Sequence, residues 1–199
     1  QKSGKLAAEL YDDRTHFIFE LLQNAEDALG RRVGWLGARN VQFVLNQTQL
    51  RFSHFGKPFD EADVRSVCEI AESTKNGSSI GRFGLGFKSV YTVTDFPEIH
   101  SGDEDFAIEN YVFPKHSDRL ARKVDETQII LPLRPEDTSI AQDITRSFRQ
   151  LGPSALLFLR NINEINWSVE GGASGFYQRT TSAPLGHNVQ HITVSGNED

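Results

Sequence analysis

The sequence has 199 residues, of which 38% are hydrophobic, and both values are typical of a single globular domain. Its net charge of −6 argues against direct binding of nucleic acid, and no apolar run reaches the ~18 residues that a membrane-spanning helix needs. The single cysteine, Cys68, excludes an internal disulfide and favours a reducing intracellular compartment such as the cytoplasm. Methionine is absent, even from position 1, so we expect the chain to be part of a longer protein.

The first third of the chain predicts two helices around a hairpin. Residues 11–29 contain strong helix formers and no proline, and a glycine follows them. Segments 41–45 and 49–53 are rich in β-formers and flank a short polar turn, which is typical of a hairpin. Asp60 can cap a second helix, whose last apolar position is Ala71.

The rest of the chain predicts further strands and helices. Residues 73–84 are small, polar and rich in glycine, which indicates a mobile loop, and a helix should begin near Gly86. The apolar spacing in residues 136–151 predicts an amphipathic helix that packs on a sheet. The predicted strands are 106–113, 127–133, 164–169, 175–180 and 189–195. Hairpins outnumber βαβ crossovers, which favours an α+β sandwich over a doubly wound parallel sheet.

The first helix carries a polar stripe on an otherwise apolar surface. Glu20, Asn24 and Asp27 are spaced i, i+4 and i+7, so they share one side of the helix. A helix that is apolar nearly all round should be buried, and its polar residues then need partners, although a solvated outer face is the alternative. Asparagine can offer a neutral oxygen to Mg²⁺, and glutamate can orient or deprotonate a water.

The segment from Gly81 to Ser89, GRFGLGFKS, is a second candidate site. Glycines let backbone N–H groups approach a phosphate, and an ordinary tight turn is the alternative. It is not a P-loop, because Phe87 separates Gly86 from Lys88.

Taken together and in this order, the segments resemble the GHKL ATPases, which include gyrase B, the ninety-kilodalton heat-shock chaperones, histidine kinases and MutL. Residues 20–28 resemble the N-box, residues 81–89 the second glycine box, and residues 125–133 a late strand whose threonine reaches the nucleotide. In these motifs the sequence is most similar to the sacsin-type branch of the family, whose members tend to be large, chaperone-like multidomain proteins. The resemblance implies a Bergerat-type two-layer α/β sandwich, with a mixed, mostly antiparallel sheet covered by helices on one face. This domain would occupy residues 1–151, with 152–199 as an extension of its sheet or the start of a following domain.

The resemblance also implies ATP or ADP with Mg²⁺ as cofactors, and it assigns roles by position. Glu20 matches the general base, Asn24 the Mg²⁺ ligand, and residues 73–82 the lid. The positions matched to nucleotide binding are Asn24, Asp27, Arg31, His54, Gly56, Phe59, Gly81, Phe83, Gly84, Leu85, Gly86, Phe87, Lys88 and Thr127. Lys88 could point at phosphate or pair with an acid such as Asp95. The expected partners are other domains of the same longer chain, and an ATP-dependent homodimer stays open.

One position departs from the family pattern. The family has an aspartate that accepts the adenine amino group, whereas this sequence has His54 there and Pro58 at the second glycine. A neutral imidazole nitrogen can accept one hydrogen bond and a protonated one cannot. We therefore expect His54 to face the base and nucleotide binding to weaken below the pKa of His54, within the range of about pH 5.5 to 8.

Two functions are consistent with this sequence. The leading hypothesis is slow Mg²⁺-dependent ATP hydrolysis that switches the conformation of a larger protein, and the presence of Glu20 favours it. The alternative is a degenerate interaction module, gated by nucleotide or free of it and without catalysis, which His54 and Pro58 favour.

Overall fold

The computed structural model describes residues 14–68, 86–186 and 189–198, which form three α-helices, two short 3-10 helices and nine strands. The α-helices are α1 (Phe17–Gly30), α2 (Glu61–Cys68) and α3 (Ile140–Leu151), and the 3-10 helices are Lys88–Thr92 and Pro153–Leu157. The strands are β1 (Asn40–Leu45), β2 (Gln49–His54), β3 (Glu98–Ser101), β4 (Glu104–Glu109), β5 (Phe113–His116), β6 (Thr127–Pro132), β7 (Glu164–Val169), β8 (Ser174–Gly186) and β9 (Val189–Glu198).

All nine strands belong to one mixed sheet with the order β5-β4-β3-β6-β2-β1-β7-β8-β9. The β1–β7 pair is parallel, and the other pairs are antiparallel. The predicted α+β class and both predicted hairpins, β1–β2 and β7–β8, are confirmed. Strands β7, β8 and β9 continue the sheet beyond β1, while the predicted domain boundary at residue 151 stays a prediction.

Aromatic side chains fill the space between the sheet and α3. The rings of Phe43 on β1 and Phe52 on β2 have centroids 4.6 Å apart, and Phe148 on α3 lies 5.1 Å from Phe43. Phe148 also stacks on Trp167 of β7, with the centroids 5.6 Å apart. Because each of these rings is almost fully buried and large buried side chains contribute about 1.5–3 kcal/mol each, this contact is a main source of stability.

A buried carboxylate fixes α1 to the segment before β7. Glu26 is 7% exposed, and its two oxygens accept hydrogen bonds from the backbone N–H groups of Arg160, Asn161 and Ile162 at 2.8–3.0 Å. The side-chain Nδ2 of Asn161 donates to the same carboxylate at 2.8 Å. Since these donors would otherwise be unpaired, Glu26 sets the position of the helix that carries the polar stripe.

One predicted boundary is confirmed, and two predicted elements differ from the structure. The Asp60 cap is confirmed: its Oδ1 accepts the Asp63 N–H at 3.0 Å, while the Asp63 carboxylate accepts the Asp60 N–H at 3.2 Å. The predicted strand 106–113 is divided into β4 and β5 by a turn in which Asn110 and Tyr111 have positive φ angles, 50° and 70°. From Gly86 onward the chain forms only a short helical segment, mainly 3-10, instead of a full helix.

No helix in the described part of the chain is long and apolar enough to cross a membrane.

Replacing Glu26 with alanine should lower the free energy of unfolding by about 3 kcal/mol, because several N–H groups lose one charged acceptor. The measurement is urea unfolding followed by circular dichroism. The control is Glu61→Ala, which removes an exposed ion pair with Arg65 and should cost less than about 1 kcal/mol. Equal effects of the two substitutions would contradict the anchoring role of Glu26.

Candidate functional site

The three polar residues on α1 differ in exposure. Asn24 is 5% exposed, Glu20 is half-buried and Asp27 is exposed. The Asp27 carboxylate accepts a hydrogen bond from Nε2 of Gln23 at 3.0 Å. The alternative of a solvated outer face therefore describes Asp27 but not Asn24.

The Glu20 carboxylate lies against the backbone of Gly86. A Cβ atom at position 86 would collide with Oε2 of Glu20, so the carboxylate occupies the space that a side chain would need. On its other side, Oε1 of Glu20 is 3.7 Å from Nδ1 of His16. The structure thus brings the acidic helix next to the last glycine of the predicted glycine-rich turn.

The turn after β2 is docked tightly on the C-terminal part of α1. A Cβ atom on Gly56 would lie 2.5 Å from Cβ and 2.8 Å from the carbonyl carbon of Ala28, which is too close for any residue but glycine. The N–H of Lys57 donates to the Ala28 carbonyl at 2.9 Å, and Nη1 of Arg32 donates to the Phe55 carbonyl at 2.8 Å. Gly56 is therefore required by the packing of the fold itself.

His54 ends β2 directly beneath this turn. It is 2% exposed, it lies opposite Thr127 of β6, and its Nδ1 accepts the N–H of Gly56 at 3.0 Å. Burial, and then the positive charge of Arg31, lower the pKa of His54 from 6.5 to about 4. The ring is therefore neutral at physiological pH. Its pKa lies below the range of about pH 5.5 to 8 in which the sequence predicted that it would gain a proton.

Thr127 and Phe59 are both engaged within the fold. The Thr127 hydroxyl is buried and lies 2.5 Å from Oγ of Ser101, which also accepts the Phe59 N–H at 3.0 Å. The Phe59 side chain is 6% exposed and belongs to the hydrophobic core. Sequence reasoning missed Ser101 because the pattern gave no signal for β3.

The two cations predicted at the site also have partners in the fold. Nη1 of Arg31 donates to Oδ1 of Asp63 on α2 at 2.8 Å. Nζ of Lys88 donates to the carbonyl of Tyr111 at 2.6 Å, and desolvation by burial lowers its pKa. The suggested pairing of Lys88 with Asp95 is wrong, since the Asp95 carboxylate pairs with Arg134 at 2.7 Å.

Several predicted residues lie outside the described part of the chain. They are Gly81, Phe83, Gly84, Leu85 and the predicted lid, residues 73–82. Phe87, next to Gly86, is fully buried in the core.

Asn24 is the residue of the described chain that best fits a Mg²⁺ ion. Its amide is buried, and Nδ2 has no hydrogen-bond partner among the described residues. Those residues hold no cluster of three or more His, Cys, Asp or Glu side chains suited to a metal. A Mg²⁺ site built on Asn24 would therefore rely on one neutral protein oxygen, with water and phosphate as the other ligands.

These features define an α+β domain with an open mixed sheet and a candidate ligand site. At this site Glu20 of α1 lies against Gly86, and the buried His54 lies beneath the turn that packs on α1. Residues 7–122 match the Sacsin domain family. Protein NO VEIN of Arabidopsis thaliana is 33% identical over 183 residues, which cover 79% of this chain and 7% of that protein. The chain therefore belongs to the Sacsin domain family.

Two further relatives match about half of the chain. Human Sacsin is 34% identical over 113 residues, which cover 47% of this chain and 2% of Sacsin. Chaperone protein HtpG of Aliarcobacter butzleri (strain RM4018) is 29% identical over 120 residues, covering 46% of this chain and 19% of HtpG. The chain thus spans less than a fifth of each of these relatives, and its similarity to HtpG is weak.

The stability of the domain should fall as the pH drops, because His54 binds a proton more readily in the unfolded chain than in the folded one. With pKa values of 6.5 unfolded and about 4 folded, its contribution is complete above about pH 7 and decreases by about 2 kcal/mol between pH 7 and pH 5. The measurement is urea unfolding at both pH values for the wild type and for His54→Asn. The carboxylates contribute equally to both proteins, so the difference between their free energies of unfolding reports His54 alone. If the two free energies changed with pH in parallel, a buried neutral imidazole would be excluded.

Proposed function

We propose that this chain is a GHKL-type domain that binds ATP with Mg²⁺ and hydrolyses it slowly, as a conformational switch in a larger chaperone-like protein. The observation that carries the proposal is the contact between the Glu20 carboxylate and the backbone of Gly86. It brings a candidate general base next to Gly86, the last glycine of the glycine-rich segment, and catalysis of phosphoryl transfer is mostly positioning and electrostatics.

Asn24 supports the proposal from one turn further along α1. Side chains at i and i+4 are neighbours, so a Mg²⁺ ion on the Asn24 oxygen would lie beside the Glu20 carboxylate. When bound, Mg²⁺ would neutralise phosphate charge. The role of this chain is then to hold the ion through one neutral oxygen and to orient a water through Glu20.

His54 supports it at the other end of the same helix. The His54 ring lies beneath the turn that packs on Ala28, eight residues and about 12 Å along the helix axis from Glu20. A nucleoside triphosphate lying along α1 would place its phosphates near Glu20 and Asn24 and its base near His54. The neighbours expected to respond are other domains of the same longer protein.

One set of contacts favours a second function, an interaction module that does not hydrolyse nucleotide. The Thr127 hydroxyl is bonded to Ser101, and Arg31 is paired with Asp63, so two residues matched to nucleotide binding already serve the fold. Binding of a nucleotide would have to compete with these bonds. The two experiments below separate the alternatives.

A Mg²⁺–ADP complex or a non-hydrolysable ATP analogue should raise the melting temperature by roughly 5–10 °C at about 100 times Kd. Asn24→Ala should abolish most of this shift, because the buried amide is the proposed metal ligand. Gln142→Ala, which removes an exposed amide on α3, is the control and should keep it. The absence of any shift at millimolar nucleotide would reject the binding site and favour the second function.

Glu20→Ala should reduce ATP turnover by about 100-fold or more while sparing nucleotide affinity, since a general base contributes to the reaction and not to binding. Phosphate release under single-turnover conditions measures the rate, and calorimetry measures the affinity. Glu61→Ala, an exposed acid on α2, is the matched control. Unchanged turnover in Glu20→Ala would rule out hydrolysis at this site.

A further inference from the structure

Two peptide groups before β7 are hydrogen-bonded on both sides by opposite charges. The carbonyls of Leu159 and Arg160 accept hydrogen bonds from the guanidinium of Arg179 on β8, the second of them at 2.6 Å. The N–H groups of Arg160 and Asn161, which belong to the same two peptide groups, donate to the Glu26 carboxylate at 2.8 Å. Each of these peptide groups therefore connects a cation on β8 to an anion on α1.

Further hydrogen bonds hold this bridging segment, residues 159–163, at both ends. The N–H of Ile162 donates to Glu26 at 3.0 Å. On the other side, Nη2 of Arg179 donates to Oδ1 of Asn163 at 2.8 Å, and the Arg179 N–H donates to the Asn163 carbonyl at 2.8 Å. Because hydrogen bonds to charged groups are stronger than neutral ones and hydrogen bonds in a chain polarise one another, the segment is fixed firmly to both elements.

The two charges are removed from water and act on each other through the bridging segment. Glu26 is almost fully buried, and Nε of Arg179 is buried without a hydrogen-bond partner among the described residues. Burial lowers the pKa of Arg179, and the negative charge of Glu26 opposes this change. Separating α1 from β8 would leave a buried charge without its partner, which is strongly destabilising. The two elements therefore respond together to a change in either one.

The bridging segment lies on the side of α1 that faces away from the candidate ligand site. Glu26 follows Asn24 by two residues, and an α-helix turns by about 100° per residue, so their side chains point about 200° apart. The helix is thus placed between the candidate site, which contains Glu20 and Asn24, and the segment that Glu26 holds. A ligand that stabilises α1 from one side acts on a helix whose other side is bonded to β8.

We propose that the bridging segment communicates the occupancy of the α1 site to β8 and β9, and that this hairpin is the part of the sheet that responds when nucleotide binds. This inference rests on the proposed function, because it needs a ligand at Glu20 and Asn24. Among the described strands β9 pairs only with β8, so the hairpin forms one edge of the sheet. The backbone of an edge strand can be contacted by another domain of a longer protein.

Two substitutions interrupt the bridges from opposite ends without touching the ligand site. Arg179→Gln keeps a hydrogen-bond donor and removes the cation, while Glu26→Gln keeps an acceptor and removes the anion. The matched control is Arg149→Gln, which neutralises an exposed arginine on α3.

The experiment is amide hydrogen exchange of the 199-residue chain, followed by mass spectrometry, with and without Mg²⁺ and a saturating non-hydrolysable ATP analogue. Exchange reports the local stability of each element. In the wild type and in Arg149→Gln, the amides of residues 174–181 on β8 should exchange about fivefold or more slowly when the analogue is bound, a typical size for coupling between two sites. Arg179→Gln and Glu26→Gln should still bind the analogue, as calorimetry measures, and should lose most of this difference.

Binding to the wild type without slower exchange on β8, or a difference that persists in a folded variant, would overturn the inference and leave the nucleotide site standing. If the analogue does not bind the wild type at millimolar concentration, the proposed function fails and the inference fails with it. Should neither variant fold, as judged by circular dichroism, the exchange of the wild type alone decides.

Discussion

The close approach of the Gly56 turn to Ala28 is the contact on which the arrangement of this domain depends. It fixes the end of β2 against α1, while Glu26, on the same helix, binds three successive N–H groups of the segment before β7. Two regions far apart in sequence therefore meet α1 within a single helical turn. Any ligand site on α1 takes its geometry from this double attachment.

The same packing sets the chemistry of the polar groups. Asn24 and His54 are removed from water: Nδ2 of Asn24 has no partner within the described residues, and burial keeps the imidazole neutral. Glu20 is only half-buried and keeps its carboxylate beside Gly86. The candidate site thus combines two desolvated neutral groups with a half-buried carboxylate.

Some of the polar residues matched to nucleotide binding serve the fold in this structure. The Arg31 guanidinium donates to the carboxylate of Asp63 in the first turn of α2, and the Thr127 hydroxyl is hydrogen-bonded to Ser101 on β3. A nucleotide that needed either group would break a bond between two elements. Binding would then be coupled to the position of α2 or β3.

Local chemistry is sufficient to predict the β1–β2 hairpin, the Asp60 cap and the amphipathic face of α3. It also placed Glu20 and Asn24 on one side of a helix, because helical spacing is a local property. Which polar groups lose water, and which partners they gain, depends on contacts between elements that are distant in the sequence. Neither the anchoring of Glu26, nor the bond from the Gly56 N–H to His54, nor the break between β4 and β5 at Asn110 and Tyr111 follows from spacing. Each depends on a backbone group or a φ angle that long-range packing brings into place.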